Sequence, residues 1–440
     1  MPDPCFSNLV RQVKVRLDLE SVINGSALKH LQTSAEQHMV YPRARELDYE
    51  IYFAGDDNDF NMLGAYRAIA QFLDMIDKMA PNASIVDVDI KAGSNPYYQI
   101  TREALNNTLH RLFSSATQRQ LKVRPGTLHA IIKPTMIQGL TSIYAVEIGK
   151  FGQLASLLHR NALTLQSLHL SFFSAGCISD MIYDGKHEVE YPVLQKLAIH
   201  WPPTIVLPLN KPTTSKPLFP ALRYLNVGGL YPFADTVLLR GNDCILEYLS
   251  INAATIPSDL HAEVSMLIQR KTSLRFLKIA NSHQIAGIIK YLPLSLQTLK
   301  LGQISDLLSS QEGFFPVNLV KLTIGVSLTI IEMTQLLKLL PNLSYLSSGY
   351  VDNKLLSRKN ENTRQFIRQL QTRKFPASYS LRHWQAHGEQ LVEWLAALEC
   401  AVLLAALCPG FILSQLDKLK LDAYDRTLWS ALDTSDIYTT

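Results

Sequence analysis

The chain has 440 residues, 47% of them apolar and 18% charged, with a formal charge of +4. Such a composition belongs to a folded chain and excludes extensive disorder. The near-neutral balance excludes the broad basic face of a dedicated nucleic-acid binder, and the length exceeds what one compact core usually holds. Five cysteines (Cys5, Cys177, Cys244, Cys400, Cys408) are scattered, odd in number and free of any CxxC pair. They read as buried thiols in a reducing compartment, with neither a disulfide framework nor a metal site. The segment Met1 to Phe6 lacks a basic stretch followed by an apolar run, so no signal peptide is expected. The uncharged stretch from Cys400 to Leu416 is broken by Pro409 and Gly410, and reads as a buried helix rather than a membrane span. A cytoplasmic or nuclear location follows as the expectation.

Taken in chain order, short apolar alternations come first. Val13-Lys14-Val15, Leu47-Asp48-Tyr49, Val86-Asp87-Val88 and Val146-Glu147-Ile148 predict strands. Leu63 to Met79 and Arg102 to Phe113 predict helices between them. From Leu165 onwards one pattern recurs, Leu-x-x-Leu-x-(Leu/Ile/Val). It occurs at Leu165-Leu168-Leu170, Leu194-Leu197-Ile199, Leu222-Leu225-Val227, Leu246-Leu249-Ile251, Leu274-Leu277-Ile279, Leu296-Leu299-Leu301 and Leu319-Leu322-Ile324, with a frayed copy at Leu343-Leu346. The second leucines are separated by 29, 28, 24, 28, 22, 23 and 24 residues. That period and pattern mark a leucine-rich-repeat solenoid.

Several copies open on an aromatic residue or leucine followed by proline, as in Tyr191-Pro192, Phe219-Pro220, Leu292-Pro293, Phe315-Pro316 and Leu340-Pro341. Proline lacks a donor and fixes φ, so it suits the turn before a strand. A small residue often follows the last inward position (Gly228, Ala280, Gly302, Gly325, Gly349), where a positive φ would let the backbone leave the sheet. Ser258-Asp259 with Val264, Leu267 and Ile268 predicts a capped helix, and Ile330 to Leu340 another. About twelve rungs are expected.

The fold class expected is therefore α/β: a horseshoe solenoid with a parallel concave sheet and outer helices. Residues 1–150 would form long divergent repeats and residues 151–350 the regular ones. Residues 351–380 read as a basic helical segment; Val351 to Phe375 carries seven basic residues against Asp352 and Glu361. Residues 381–440, with Leu391-Trp394-Leu395-Leu398 continuing to Leu407, read as a C-terminal helical cap over the last strand edge.

The phrases Asn161 to Leu170, Phe219 to Leu225 and Cys408 to Phe411 resemble the leucine-rich repeats of intracellular fungal F-box-like and F-box/leucine-rich-repeat proteins. The resemblance covers about three quarters of the chain and implies a substrate-recognition role related to SCF-type ubiquitin ligases. Two departures stand out. The asparagine that commonly follows the repeat strand is absent, the matching positions being Phe173, Pro202, Leu230, Ala254, Ser282, Ile304 and Ser327. The first strand begins near Val10, which leaves no room in this chain for the F-box itself.

Catalytic spacing is missing. His187-Glu188-Val189-Glu190-Tyr191 has tyrosine where a zinc-protease helix needs its second histidine. Gly139 to Lys150 lacks the Ser/Thr of a phosphate loop. His200 to Pro203 offers one imidazole without a nucleophile beside it. No enzyme activity and no cofactor are expected. Strand alternation instead places Tyr224, Tyr248 and Phe276 outward on successive rungs, followed by Lys278, Lys300 and Lys321. Aromatic residues beside cations resemble a protein-binding hot spot. The expectation is a monomeric, non-enzymatic scaffold that binds a protein, an acidic one, in its concave face, with no nucleic acid and no membrane. The alternative is a regulator of a small GTPase or other enzyme.

Overall fold

The structure is a computed structural model that describes residues 10–18, 40–41, 43–53, 62–92, 109–110, 118–123, 137–148, 152–172, 181–185, 187–200, 218–227, 245–252, 261–280, 292–302, 318–325, 336–348, 383–386 and 412–416. The chain divides into two compact units, Met1–Leu274 and Arg275–Thr440. The first contains β1 (Gln12–Asp18), β2 (Glu46–Phe53), β3 (Ile85–Ala92), β4 (Gln118–Val123), β5 (Ser142–Ile148), β6 (Ser167–Phe172), β7 (Lys196–His200), β8 (Tyr224–Val227) and β9 (Tyr248–Asn252). Its helices are α1 (Met62–Met79), α2 (Gly152–Asn161) and α3 (His261–Gln269). The second contains β10 (Phe276–Ala280), β11 (Thr298–Leu301), β12 (Lys321–Ile324), β13 (Tyr345–Ser348), β14 (His383–Ala386) and β15 (Ile412–Leu416).

Within each unit every strand lies parallel to the next in chain order. This is an α/β, solenoid-like arrangement. Its register follows the leucines. Ile143, Leu168, Leu197, Leu225 and Leu249 form one column, and Leu277, Leu299, Leu322 and Leu346 another. All nine are buried. A one-residue slip would turn every one of them onto the opposite face, so the apolar column holds the register.

A turn repeats before the strands. The amides of Leu194, Leu222, Leu274, Leu296 and Leu343 donate to the carbonyls of Tyr191, Phe219, Lys271, Pro293 and Leu340, three residues back. Pro192, Pro220 and Pro341 occupy the next position of that turn, where a fixed φ is compatible. The first turn residue is buried, and Tyr191 stacks on Phe219 with centroids 5.6 Å apart. Lys271 takes the same place with its side chain fully buried.

Between consecutive turns one carbonyl accepts two amides. Gln166 O takes Gln195 N and Lys196 N at 2.8 and 3.0 Å, and Gln195 O takes Arg223 N and Tyr224 N, both at 2.9 Å. Arg223, Arg275, Gln297 and Val320 repeat the arrangement, as do Thr141 and Arg45 towards the N-terminus.

Side chains bond turns together as well. The fully buried Asn161, at the end of α2, accepts from Leu140 N (2.9 Å) and donates to Ile137 O (3.1 Å) and Leu157 O (2.8 Å). The turn-to-turn asparagine absent after the strand is thus replaced, in this repeat, by one at the helix end. Thr164 Oγ1 donates to Leu140 O, and Asn318 Nδ2 to Leu294 O.

Helix α1 is amphipathic, with Phe72, Leu73, Ile76 and Met79 buried and Gln71, Asp74 and Lys78 exposed. The capped helix expected near Val264 corresponds to α3, while Ser258 and Asp259 lie outside the described residues. Helix is present at 109–110 and 336–339 in the two other segments expected to be helical.

All eight strands expected from Leu165 to Leu346 are present in phase. Four corrections concern the rest. The strand expected at Val146 to Ile148 begins at Ser142, with Ile143 in the leucine column and a register shift between Ala145 and Ile148. Strand β4 has no leucine pattern to announce it, and pairing with β3 and β5 defines it. Where a helical cap was expected, β14 and β15 continue the parallel sheet, so the edge of β13 is satisfied by pairing. Among the described residues the positive-φ glycines are Gly139 and Gly185, and neither Gly302 nor Gly325. Those two donate to Ile279 and Leu301, extending the ladder by one bond. The basic segment 351–375 and the run Leu391 to Leu407 lie outside the described residues.

Leu249→Ala is expected to destabilise the chain by about 2–5 kcal/mol, the cost of a core cavity. Asn161→Ala, which orphans buried backbone groups, should cost about 1–3 kcal/mol. Urea melts of both variants measure this, and a change under about 0.5 kcal/mol would mark either residue as a surface one.

Candidate binding faces of the sheet

The residues flanking each column leucine alternate onto the opposite sheet face. In the first unit this face changes character along the array. Over β1 to β3 it is charged: Lys14, Asp48 and Asp87 are in register, as are Arg16, Glu50 and Asp89. Lys14 bridges to Glu50 at 2.7 Å, and Gln12 donates to Glu46. Asp87 and Asp89 are buried despite their position. Carboxylates facing each other on adjacent strands repel, and the two cations of β1 offset that repulsion. Asp48 and Asp87 were visible in the sequence as alternation partners, but only register sets them side by side.

Over β5 to β9 the face is almost uncharged. Tyr144 stacks on His169 with centroids 4.3 Å apart, and His169 lies 5.1 Å from His200. Tyr224 stacks on Tyr248 at 4.0 Å with an interplanar angle of 14°. Register explains the ring pairs: Tyr144 opposes His169 and Tyr224 opposes Tyr248. Ser142, Ser167 and Asn226 lie among the rings, and Lys196 is the charged residue at the outward positions whose side chains are described. The rings thus stack across strands rather than along them.

In the second unit Phe276 is half-buried, and Lys300 Nζ lies 5.6 Å from its ring centroid. Lys278 pairs directly with Lys300, and Lys321 with Tyr345. Lys278, Lys300 and Lys321 are exposed. No carboxylate occupies an outward position of β10 to β13 among the described side chains. Of the site expected from sequence, Tyr224 and Tyr248 therefore form a stacked pair in the first unit, while Phe276, Lys278, Lys300 and Lys321 share a face of the second. The stretch Trp201 to Pro217 lies outside the described residues.

Sequence reasoning missed the Tyr144–His169–His200 cluster. Tyr144 is out of reach of the sequence because the strand expected at Val146 begins four residues earlier, at Ser142, and His200 stands there as a lone imidazole. The His187 segment forms a tight antiparallel hairpin, with a Tyr183–Glu188 bridge and Asp184 accepting from His187 N at 2.7 Å. It is not a helix, so no zinc-protease geometry arises there. Three or more metal-ligating side chains do not cluster anywhere among the described residues. None of the described helices is long and apolar enough to cross a membrane.

Burial and the neighbouring His200 hold His169 below the ordinary histidine range. Desolvation, followed by the hydrogen bond and charge of Tyr224, pushes Tyr248 up to about 12. No family model matches the sequence, and no curated protein aligns with it significantly.

A raised folded-state pKa retains the phenol proton, so the stability linked to Tyr248 is fully present below pH 10. It is lost as pH rises from there through about 12. Spectrophotometric titration should show this phenol ionising late. Tyr224→Phe should bring its midpoint down towards the ordinary value.

Proposed function

We propose that the chain is a leucine-rich-repeat solenoid acting as a non-enzymatic protein-interaction scaffold, with the sheet face opposite the leucine columns as its binding surface. The observation that carries this reading is the pre-stacked face of β5 to β9. Tyrosine, serine, histidine and asparagine dominate it, as tyrosine, serine and asparagine do in antibody binding loops. There, stiff amphipathic rings supply contact area at low entropic cost and small polar groups supply hydrogen bonds. Rings already held against each other lose little freedom when a partner covers them.

The lysines of the second unit favour an acidic protein partner. Like charges directly opposite on neighbouring strands oppose folding, and Lys278 and Lys300 have no carboxylate beside them at the described outward positions. Such exposed cations act chiefly on association rate and salt dependence. A role in substrate recognition for a ubiquitin ligase is supported by the fungal resemblance alone.

The test is quantitative proximity labelling in cells, comparing the wild type with Tyr224→Ala/Tyr248→Ala and with Lys278→Ala/Lys300→Ala. The tyrosine variant should keep its melting transition and lose a defined set of partners, each buried ring contributing about 1–3 kcal/mol. With a partner in hand, the lysine variant should slow association and flatten its salt dependence. Folded variants that keep every partner would overturn the proposal.

A further inference from the structure

We infer that His169 and His200 form a binding site for one divalent transition-metal ion of the zinc type, on the uncharged half of the first unit's sheet face. The argument begins with placement. His169 opposes Ala198 in the register of β6 and β7, and His200 lies two residues further along β7. The two imidazoles are therefore diagonal neighbours on one face, with centroids 5.1 Å apart and planes inclined at 43°. Two imidazole nitrogens bound at about 2.0–2.1 Å to one ion, at a near-tetrahedral angle, set ring centres about 5 Å apart. The observed separation matches that spacing.

Two surroundings support the site. Tyr144 stacks on His169 with an interplanar angle of 21°, which restrains the ring plane and leaves its edge for coordination. No carboxylate shares the described part of this half-face, so the donor set is nitrogen, which suits zinc, copper or nickel and not calcium or magnesium. Two protein ligands leave two tetrahedral positions to water, or to a carboxylate or imidazole of a bound protein. The site goes beyond the scaffold reading, since the ion would bind without any partner and could then tie one to the face.

The experiment uses the full chain without a partner, so its result is separate from that of the scaffold proposal. Zn²⁺ is titrated calorimetrically at pH 7.5 into the wild type and into His169→Gln, His200→Gln, the double variant and the hairpin control His187→Gln. The wild type and the control should bind one equivalent that the double variant lacks. Each single variant should weaken it by at least the 10- to 100-fold that loss of a mere outer-shell partner causes. A double variant with wild-type stoichiometry and affinity overturns the proposal. Should that variant melt early, the wild type still decides. Copper–ascorbate oxidation mapped by mass spectrometry should mark the peptides of His169 and His200 above those of the other histidines, and uniform marking rejects the site.

Discussion

One backbone arrangement sustains the rest of the molecule: a turn carbonyl that receives two successive amides of the following turn. Gln166, Gln195 and Arg223 show it in the first unit, and Arg275, Gln297 and Val320 in the second. A shared acceptor leaves no orphan donor where the chain enters each strand, a place where buried amides would otherwise be costly. It also sets the phase. Once the two amides are engaged, the next residue must be a column leucine, and the residues on either side of it must face away from the core. The Tyr224–Tyr248 stack and the opposition of Lys278 and Lys300 are consequences of that phase.

The repeated turn explains why repeat length can vary while the sheet does not. Spacings between column leucines range from 22 to 29 residues, yet Leu225 still meets Leu249 and Leu277 still meets Leu299. Added residues go between the end of one strand and the next turn, where loop length costs little. The same tolerance lets the upstream spacing grow longer without breaking the ladder, as the in-register pairing of β1 with β2 and of β2 with β3 shows. The buried Asn161 is accommodated because it bonds Ile137 and Leu140 in the preceding repeat.

Charge along the first unit's face is graded rather than uniform. Lys14 and Arg16 on β1 oppose Asp48 and Glu50 on β2, which in turn oppose Asp87 and Asp89 on β3, so charge is concentrated at this end. Beyond β4 the carboxylates cease at the described outward positions, and rings take their place. On the proposed scaffold reading, the partner surface is therefore β5 to β9, where stacked rings take the place of charges.

How much was legible depended on how local each signal was. Leucine spacing is a local signal, and it determined the parallel array, the phase of eight strands and the outward placing of Tyr224, Tyr248, Phe276 and the three lysines. Strand β4 was illegible because Gln118 to Val123 is strand only through its neighbours, and a sheet edge extended by His383 to Ala386 looks no different in sequence from a capped one. Which rings touch was beyond the sequence too. His169 and His200 are 31 positions apart, and only the pairing of β6 with β7 makes them diagonal neighbours. Alternation along one strand dictates the face a side chain takes. Register between strands, set by non-local hydrogen bonds, decides which neighbour it meets there.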